Sequence, residues 1–305
     1  MNFYCGVNET RWNRHEVAPG PLACISPVYG ASVRTRRENS VRIPGDTAVL
    51  QDSGAFSDGP GQRLDFSAAY ERQIAHGEKY GYADQITHRA SYDLLIDEVW
   101  TGSNRHKRRW TVQDAEQAVK ETIDAARFMA HHKDRPAVLS VQGVNAAQYL
   151  DCARRVVPLL DAGDVLGFGG WCITGKMPAV MMPVFRETIR LIVPWLGRVG
   201  VKHIHIWGVL YAHALGELLW ICDQQGIALS TDSAGPQWKP AFGEWGFADW
   251  KDPTYTRAPV ETRGLDRARH VAETRKWLDG LRYSRYYREP SIVVYQLPLD
   301  TAHQS

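Results

Sequence analysis

Short apolar runs, each closed by a polar residue or a glycine, recur along the chain at intervals that leave room for a helix between them. Ala48 to Leu50 runs into Gln51-Asp52-Ser53-Gly54, Leu94 to Ile96 into Asp97-Glu98, and Ala137 to Val141 into Gln142-Gly143. Val165 to Phe168 runs into Gly169-Gly170, Ile204 to Trp207 into Gly208, and Ile227 to Leu229 into Ser230-Thr231-Asp232-Ser233. Phe3 to Val7 and Leu22 to Val28 are two further strand-like runs. Continuous apolar runs bounded by turn residues are the pattern of strands buried on both faces.

The intervening segments have helical spacing. Phe66 to Tyr80 follows Asp65 or Ser67 as cap, and Thr111 with Asp114 opens an amphipathic helix to about His131. Asn145 to Leu160, Met177 to Leu196 (interrupted by Pro183 and Pro194) and Ala212 to Gln225 are the next three. Strand and helix therefore alternate about eight times, which predicts an α/β fold with a parallel sheet. An open doubly wound sheet gathers its functional groups at one switch point, whereas a closed barrel draws them from many strand ends. Six decorated ends favour a TIM-like (β/α)8 barrel. Residues 1–240 make the barrel on this reading, and 241–305 form a C-terminal extension packed against it, with one helix from Leu265 to Leu281.

Asp52, Asp97 and Asp232 each end an apolar run, which puts three carboxylates at the rim of a barrel core where burial tunes their chemistry. Any one alone also fits a helix cap or a turn; their joint recurrence argues for a site centred on Asp232. Gln142 and the backbone at Gly169 and Gly170 add neutral donors and acceptors suited to a flat polar heterocycle, although the glycines equally serve tight turns. Phe56 and Trp207 are placed to sandwich such a ring. The run Arg105, His106, Lys107, Arg108, Arg109 is the strongest basic cluster and reads as a phosphate-binding loop or a solvated charge run. Arg34, Arg36 and Arg37, and Arg282 to Arg288 with its tyrosines, are secondary candidates. His203 and His205 share one face of a strand, as a metal pair or, given their apolar neighbours, as buried hydrogen-bonded imidazoles.

Composition changes this picture little. The chain has 305 residues, 44% hydrophobic and 23% charged, with a formal net charge of +2, so nucleic-acid binding must come from a local patch. Five scattered cysteines without CxxC spacing read as buried thiols of a reducing compartment. Without a signal-like segment or an apolar run of membrane length, the protein is expected to be cytoplasmic and without a membrane partner. No GxGxxG, P-loop, GxSxG or HExxH motif supports nicotinamide, nucleotide, serine-hydrolase or zinc-protease chemistry.

The ordered motifs resemble a known family. Asp52-Ser53-Gly54-Ala55-Phe56, then Ile96-Asp97-Glu98, Val141-Gln142-Gly143, Gly167 to Gly170, Trp207-Gly208-Val209 and Ser230 to Ser233 are similar to the succession in tRNA-guanine transglycosylases. The opening Phe3 to Trp12 and the form Ser230 to Gly235 resemble the DpdA branch, which places 7-deazaguanines in DNA. The resemblance runs from about Phe3 to Pro240.

It implies a DNA-guanine transglycosylase with Asp232 as nucleophile and Asp52 beside the exchanged base. The base would be bound by Asp97, Gln142, Gly169, Gly170 and Gly208 and stacked by Phe56 and Trp207, with Arg105, Lys107, Arg108 and Arg109 on nucleic acid. The implied partners are DNA, a 7-deazaguanine base resembling preQ0 and other proteins of a DNA-modification system. No cofactor is implied. No cysteine follows Cys222, so the Cys3His zinc site of the tRNA enzymes is absent from this pattern, and no metal is expected. Ala55 stands where the family has a second glycine, and Trp207 where the tRNA enzymes often have Met. The alternatives are the same exchange on tRNA and a non-catalytic nucleic-acid-binding homologue.

Overall fold

The computed structural model describes residues 1–7, 20–27, 43–55, 58, 63–93, 96, 111–172, 174–175, 177–233 and 267–291. Eight strands close into one barrel in chain order: β1 (Asn2–Val7), β2 (Leu22–Ile25), β3 (Ala48–Gln51), β4 (Ile86–Ala90), β5 (Ala137–Val141), β6 (Val165–Phe168), β7 (His203–Ile206) and β8 (Ala228–Ser233). Each neighbouring pair is parallel, and β8 returns to β1 with Tyr4 opposite Asp232. This is the (β/α)8 barrel expected from the alternation.

Strand side chains alternate between two faces, and the two faces here have separate jobs. Tyr4, Cys24, Leu50, Ala90, Val138 and Val165 form a buried cluster with Leu22 and Trp207, which fills the barrel interior. Their neighbours in sequence, among them Cys5, Leu139, Leu166, Phe168, Ile204 and Leu229, belong to the larger core shared with the helices.

The helices begin where local chemistry starts them. For α1 (Phe66–Tyr80), Asp65 accepts the Ala68 N–H, and Gly81 ends the helix at φ 70°, a conformation glycine adopts without steric cost. Thr111 and Asp114 form a reciprocal capping box on α2 (Val112–His132), and Asn145 accepts from Gln148 on α3 (Ala146–Val156). Then follow α4 (Pro178–Arg198), α5 (Ala212–Gln224) and α6 (Arg267–Gly280).

Three expectations are corrected. The fourth strand is Ile86–Ala90, earlier in the chain than the run ending at Ile96 that the sequence suggests. Thr87, His88 and Arg89 look like surface residues in sequence, yet Arg89 is buried, pairs with Asp134 and donates to Gln51 Oε1 at 2.9 Å. Helix α4 runs unbroken through Pro183 and Pro194. Each internal proline costs about 3 kcal/mol, but Met181, Met182, Phe185, Ile189, Ile192, Val193 and Leu196 are all buried from this helix, each worth about 1.5–3 kcal/mol. Finally, β8 does not stop before its acid. The strand includes Asp232.

The described part of the C-terminal tail docks on the barrel. Trp277, Leu278, Leu281 and Tyr286 are buried in the main core, and Arg275 donates to the Leu22 carbonyl at 3.0 Å. Coming after β8 and packing on β1, α6 takes the place of the barrel's last helix. The basic tail candidates are engaged in the fold: Arg282 makes two hydrogen bonds to Asp223, and Arg288 lies 3.5 Å from Glu217. Among the described residues, no helix is long and apolar enough to cross a membrane.

Candidate active site at the barrel mouth

Because β8 carries Ser230 and Asp232 two residues apart, both side chains point to the same face, the barrel interior. Register places His205 beside Ser230 on the neighbouring strand. His205 Nδ1 lies 2.9 Å from Ser230 Oγ, and His205 Nε2 lies 3.3 Å from Asp232 Oδ1. His203 Nε2 reaches the same Ser230 Oγ at 2.8 Å. The paired histidines are thus hydrogen-bonded to one hydroxyl, the second of the two readings open from sequence. Among the described residues, no group of three His, Cys, Asp or Glu is arranged to hold a metal ion.

The Gly208 N–H donates to Asp232 Oδ1 at 2.8 Å. Gly208 has φ 67°, which lets the chain turn out of β7 and aim its amide back at the β8 carboxylate. In this structure Gly208 holds Asp232, a role distinct from the base contact expected of it. The Asp232 side chain keeps 16% exposure, so it is seated by protein donors on one oxygen and still reachable. Ser230, His205 and Asp232 have the composition of a serine-hydrolase triad. However, Ser230 is fully buried and is also bonded by His203, so it is Asp232 that faces the mouth.

Asp52 directly follows β3, and its N–H donates to the Ile25 carbonyl at 2.8 Å. Its Oδ1 accepts the Ser53 N–H at 2.7 Å, and its carbonyl accepts from Gln73 Nε2 at 3.0 Å. Burial above all, then the negative charge of Asp232, pushes the Asp52 carboxyl above its ordinary value, against hydrogen bonds from Ser26, Ser53 and Gly54. Cys24 lies within the field of both acids. Burial, then Asp232, then Asp52 push its thiol well above the usual range, so it stays protonated.

Gly167 lies level with His205 on the adjoining strand. A Cβ there would sit 2.7 Å from Trp207 Nε1, so the missing side chain is what lets the indole lie against β6. The Trp207 ring also meets His205 edge-on at 4.3 Å, and its buried N–H has no hydrogen-bond partner among the described residues. Beyond β6, the Gly169 N–H donates to Val141 and its carbonyl accepts the Tyr149 hydroxyl at 3.0 Å. Gly170 has φ 84°. Both glycines are buried, and the Gly169 amide and carbonyl are engaged within the fold. Gln142 is buried, and its amide nitrogen donates to Thr122 on α2 at 2.6 Å, anchoring it to the helix layer.

Phe56, Asp97, Arg105, Lys107, Arg108 and Arg109 lie outside the described residues, as do Arg34, Arg36 and Arg37. One acid was missed from sequence. Asp93 is buried three residues past β4, with Oδ2 3.5 Å from the place a Gly169 Cβ would take. The strand before it, Ile86–Ala90, carries Thr87, His88 and Arg89 in place of an apolar run, so the sequence pattern does not single out Asp93.

The fold and the site together define a (β/α)8 barrel with two carboxylates at its C-terminal mouth, the face on which active sites of this fold are built. No family model and no curated protein matches the chain. Among solved structures, one of L-ribulose 3-epimerase aligns over 92% of this chain and 97% of its own, with a TM-score of 0.37 and 12% identity.

Proposed function

We propose that the protein is a base-exchanging transglycosylase that replaces guanine in DNA with a 7-deazaguanine base resembling preQ0. The observation that supports it is the pair Asp52 and Asp232: two carboxylates at one barrel mouth in unlike surroundings. Two acids whose environments set them apart are the working parts of retaining glycosyl transfer. Asp232, gripped through Oδ1 by backbone and imidazole N–H groups, attacks the anomeric carbon; its C–O ester bond forms as the bond from sugar to guanine breaks. Asp52, whose carboxyl burial and the Asp232 charge favour in the protonated form, gives its proton to the departing base. The incoming base returns a proton to Asp52 and displaces Asp232, so configuration is retained.

In this reading Trp207 and Phe56 stack on the base, while Asp97, Gly169 and Gly170 bind its edges and Gln142, fully buried and bonded to Thr122, backs them from the helix layer. Arg105, Lys107, Arg108 and Arg109 hold phosphates. A base inside a duplex must first be extruded or presented single-stranded. The test is exchange of labelled guanine or preQ0 into DNA and, in parallel, tRNA. Label in DNA, with an adduct that disappears in Asp232→Ala, is the expected result; label in tRNA alone overturns the DNA assignment, and exchange by Asp232→Ala overturns the nucleophile. Replacing Arg105, Arg108 and Arg109 with Ala should weaken DNA binding and flatten its salt dependence.

A further inference from the structure

With both imidazoles uncharged and Asp232 ionised, the three contacts that join His203, Ser230, His205 and Asp232 have one internally consistent proton arrangement. The Asp232 carboxylate only accepts, so the 3.3 Å contact requires the His205 proton on Nε2. His205 Nδ1 is then an acceptor and takes the Ser230 O–H across 2.9 Å. The Ser230 oxygen, its one proton committed, receives His203 Nε2–H at 2.8 Å. Among the described residues both hydrogen bonds to the Asp232 carboxylate arrive on Oδ1, from His205 and from Gly208.

We propose that His203, Ser230 and His205 are positioning residues, an aligned donor chain that fixes the tautomer of His205 and so pins Asp232 through Oδ1, leaving Oδ2 as the reacting oxygen. The role of Oδ2 rests on Asp232 being the nucleophile of the proposed exchange; the tautomer does not. A hydroxyl at position 230 suits the chain, because it both donates to one imidazole and accepts from another. The rest of the surroundings leave the donor order to these three groups. Tyr4 and Trp207 meet His205 edge-on at 5.8 and 4.3 Å, and among the described residues the hydrogen bonds of the two His205 nitrogens go to Ser230 and Asp232. Burial, then His205 and His88, holds His203 at about 4, so it enters the chain uncharged.

The experiment is a two-bond proton–nitrogen correlation spectrum of the full chain labelled with ¹⁵N-histidine, assigned with His203→Gln and His205→Gln. The expected spectrum has His205 protonated on Nε2, and Ser230→Ala shifts its Nδ1 resonance. If Ser230→Ala does not fold, Ser230→Cys, nearly isosteric and a weaker donor, replaces it. A His205 proton on Nδ1, or a His205 spectrum unmoved by the Ser230 substitution, overturns the chain. With substrate, His205→Ala should slow adduct formation about tenfold or more, the loss expected for one hydrogen bond to a charged group. His205→Gln, which keeps a donor near Nε2, should recover most of it with unchanged substrate affinity; equal loss in both overturns the positioning role. If the wild-type protein forms no adduct with any nucleic acid, the exchange reading fails while the spectrum still decides the donor chain.

Discussion

The Gly208 amide nitrogen lies 2.8 Å from Asp232 Oδ1, and this bond links the ends of two neighbouring barrel strands. It depends on a backbone that only glycine adopts cheaply, φ 67°. A Cβ at 208 would also stand 3.1 Å from Cys172 Cβ. Gly208→Ala should therefore cost about 1–2 kcal/mol of stability from the left-handed conformation, read as a lowered denaturation midpoint, and in the proposed exchange should slow adduct formation at Asp232. A variant with the stability loss and unchanged adduct rate would show that the amide does not orient the carboxylate.

The raised Asp52 carboxyl owes part of its shift to Asp232, after burial. Asp232→Asn removes that charge and leaves the burial, so the Asp52 titration should move down toward its ordinary range. Carboxyl ¹³C shifts followed against pH measure this directly. An unmoved Asp52 titration would separate the two acids electrostatically.

His203 titrates at about 4, below its ordinary 6.5, because burial and the neighbouring histidines oppose its charge. Between those two values the unfolded chain holds a proton there that the folded chain does not. Its contribution to stability is therefore fully present above about pH 6.5 and is lost as pH falls toward 4, by up to roughly 3 kcal/mol. Denaturation midpoints should decline over this window in the wild type. His203→Gln should flatten the decline.

Gly167→Ala would press a methyl to 2.7 Å from Trp207 Nε1 and 2.9 Å from Val138 Cγ1. Overpacking of this kind costs about 1–3 kcal/mol. It should also displace the indole, which a tryptophan fluorescence shift would report, together with weaker binding of the base in the proposed exchange.

Glu217 is fully buried and receives two hydrogen bonds of 2.7 Å from Arg186. Arg186→Met should destabilise the fold by about 3–5 kcal/mol, since it removes both close hydrogen bonds of a buried carboxylate and leaves it the longer, 3.5 Å contact with Arg288. The double variant with Glu217→Leu should recover much of that loss in chemical denaturation.

Barrel order was legible because strands buried on both faces must be apolar, and helices between them must show a 3.6-residue period; Ala137–Val141 and Val165–Phe168 are found where the runs lie. The fourth strand was not, because Arg89 and His88 reach partners far along the chain, Asp134 and the Gly163 carbonyl, that no local pattern reveals. The same limit applies at the site. That Asp52 and Asp232 end or close strands was visible in the residues around them. That Gly208 serves Asp232, that Gly167 is absent side chain for the sake of Trp207, and that Ser230 joins two histidines are decided by the closure of the barrel. A sequence determines what each residue can donate, accept or bury; which groups meet depends on strand register, and register here is set by all eight strands at once.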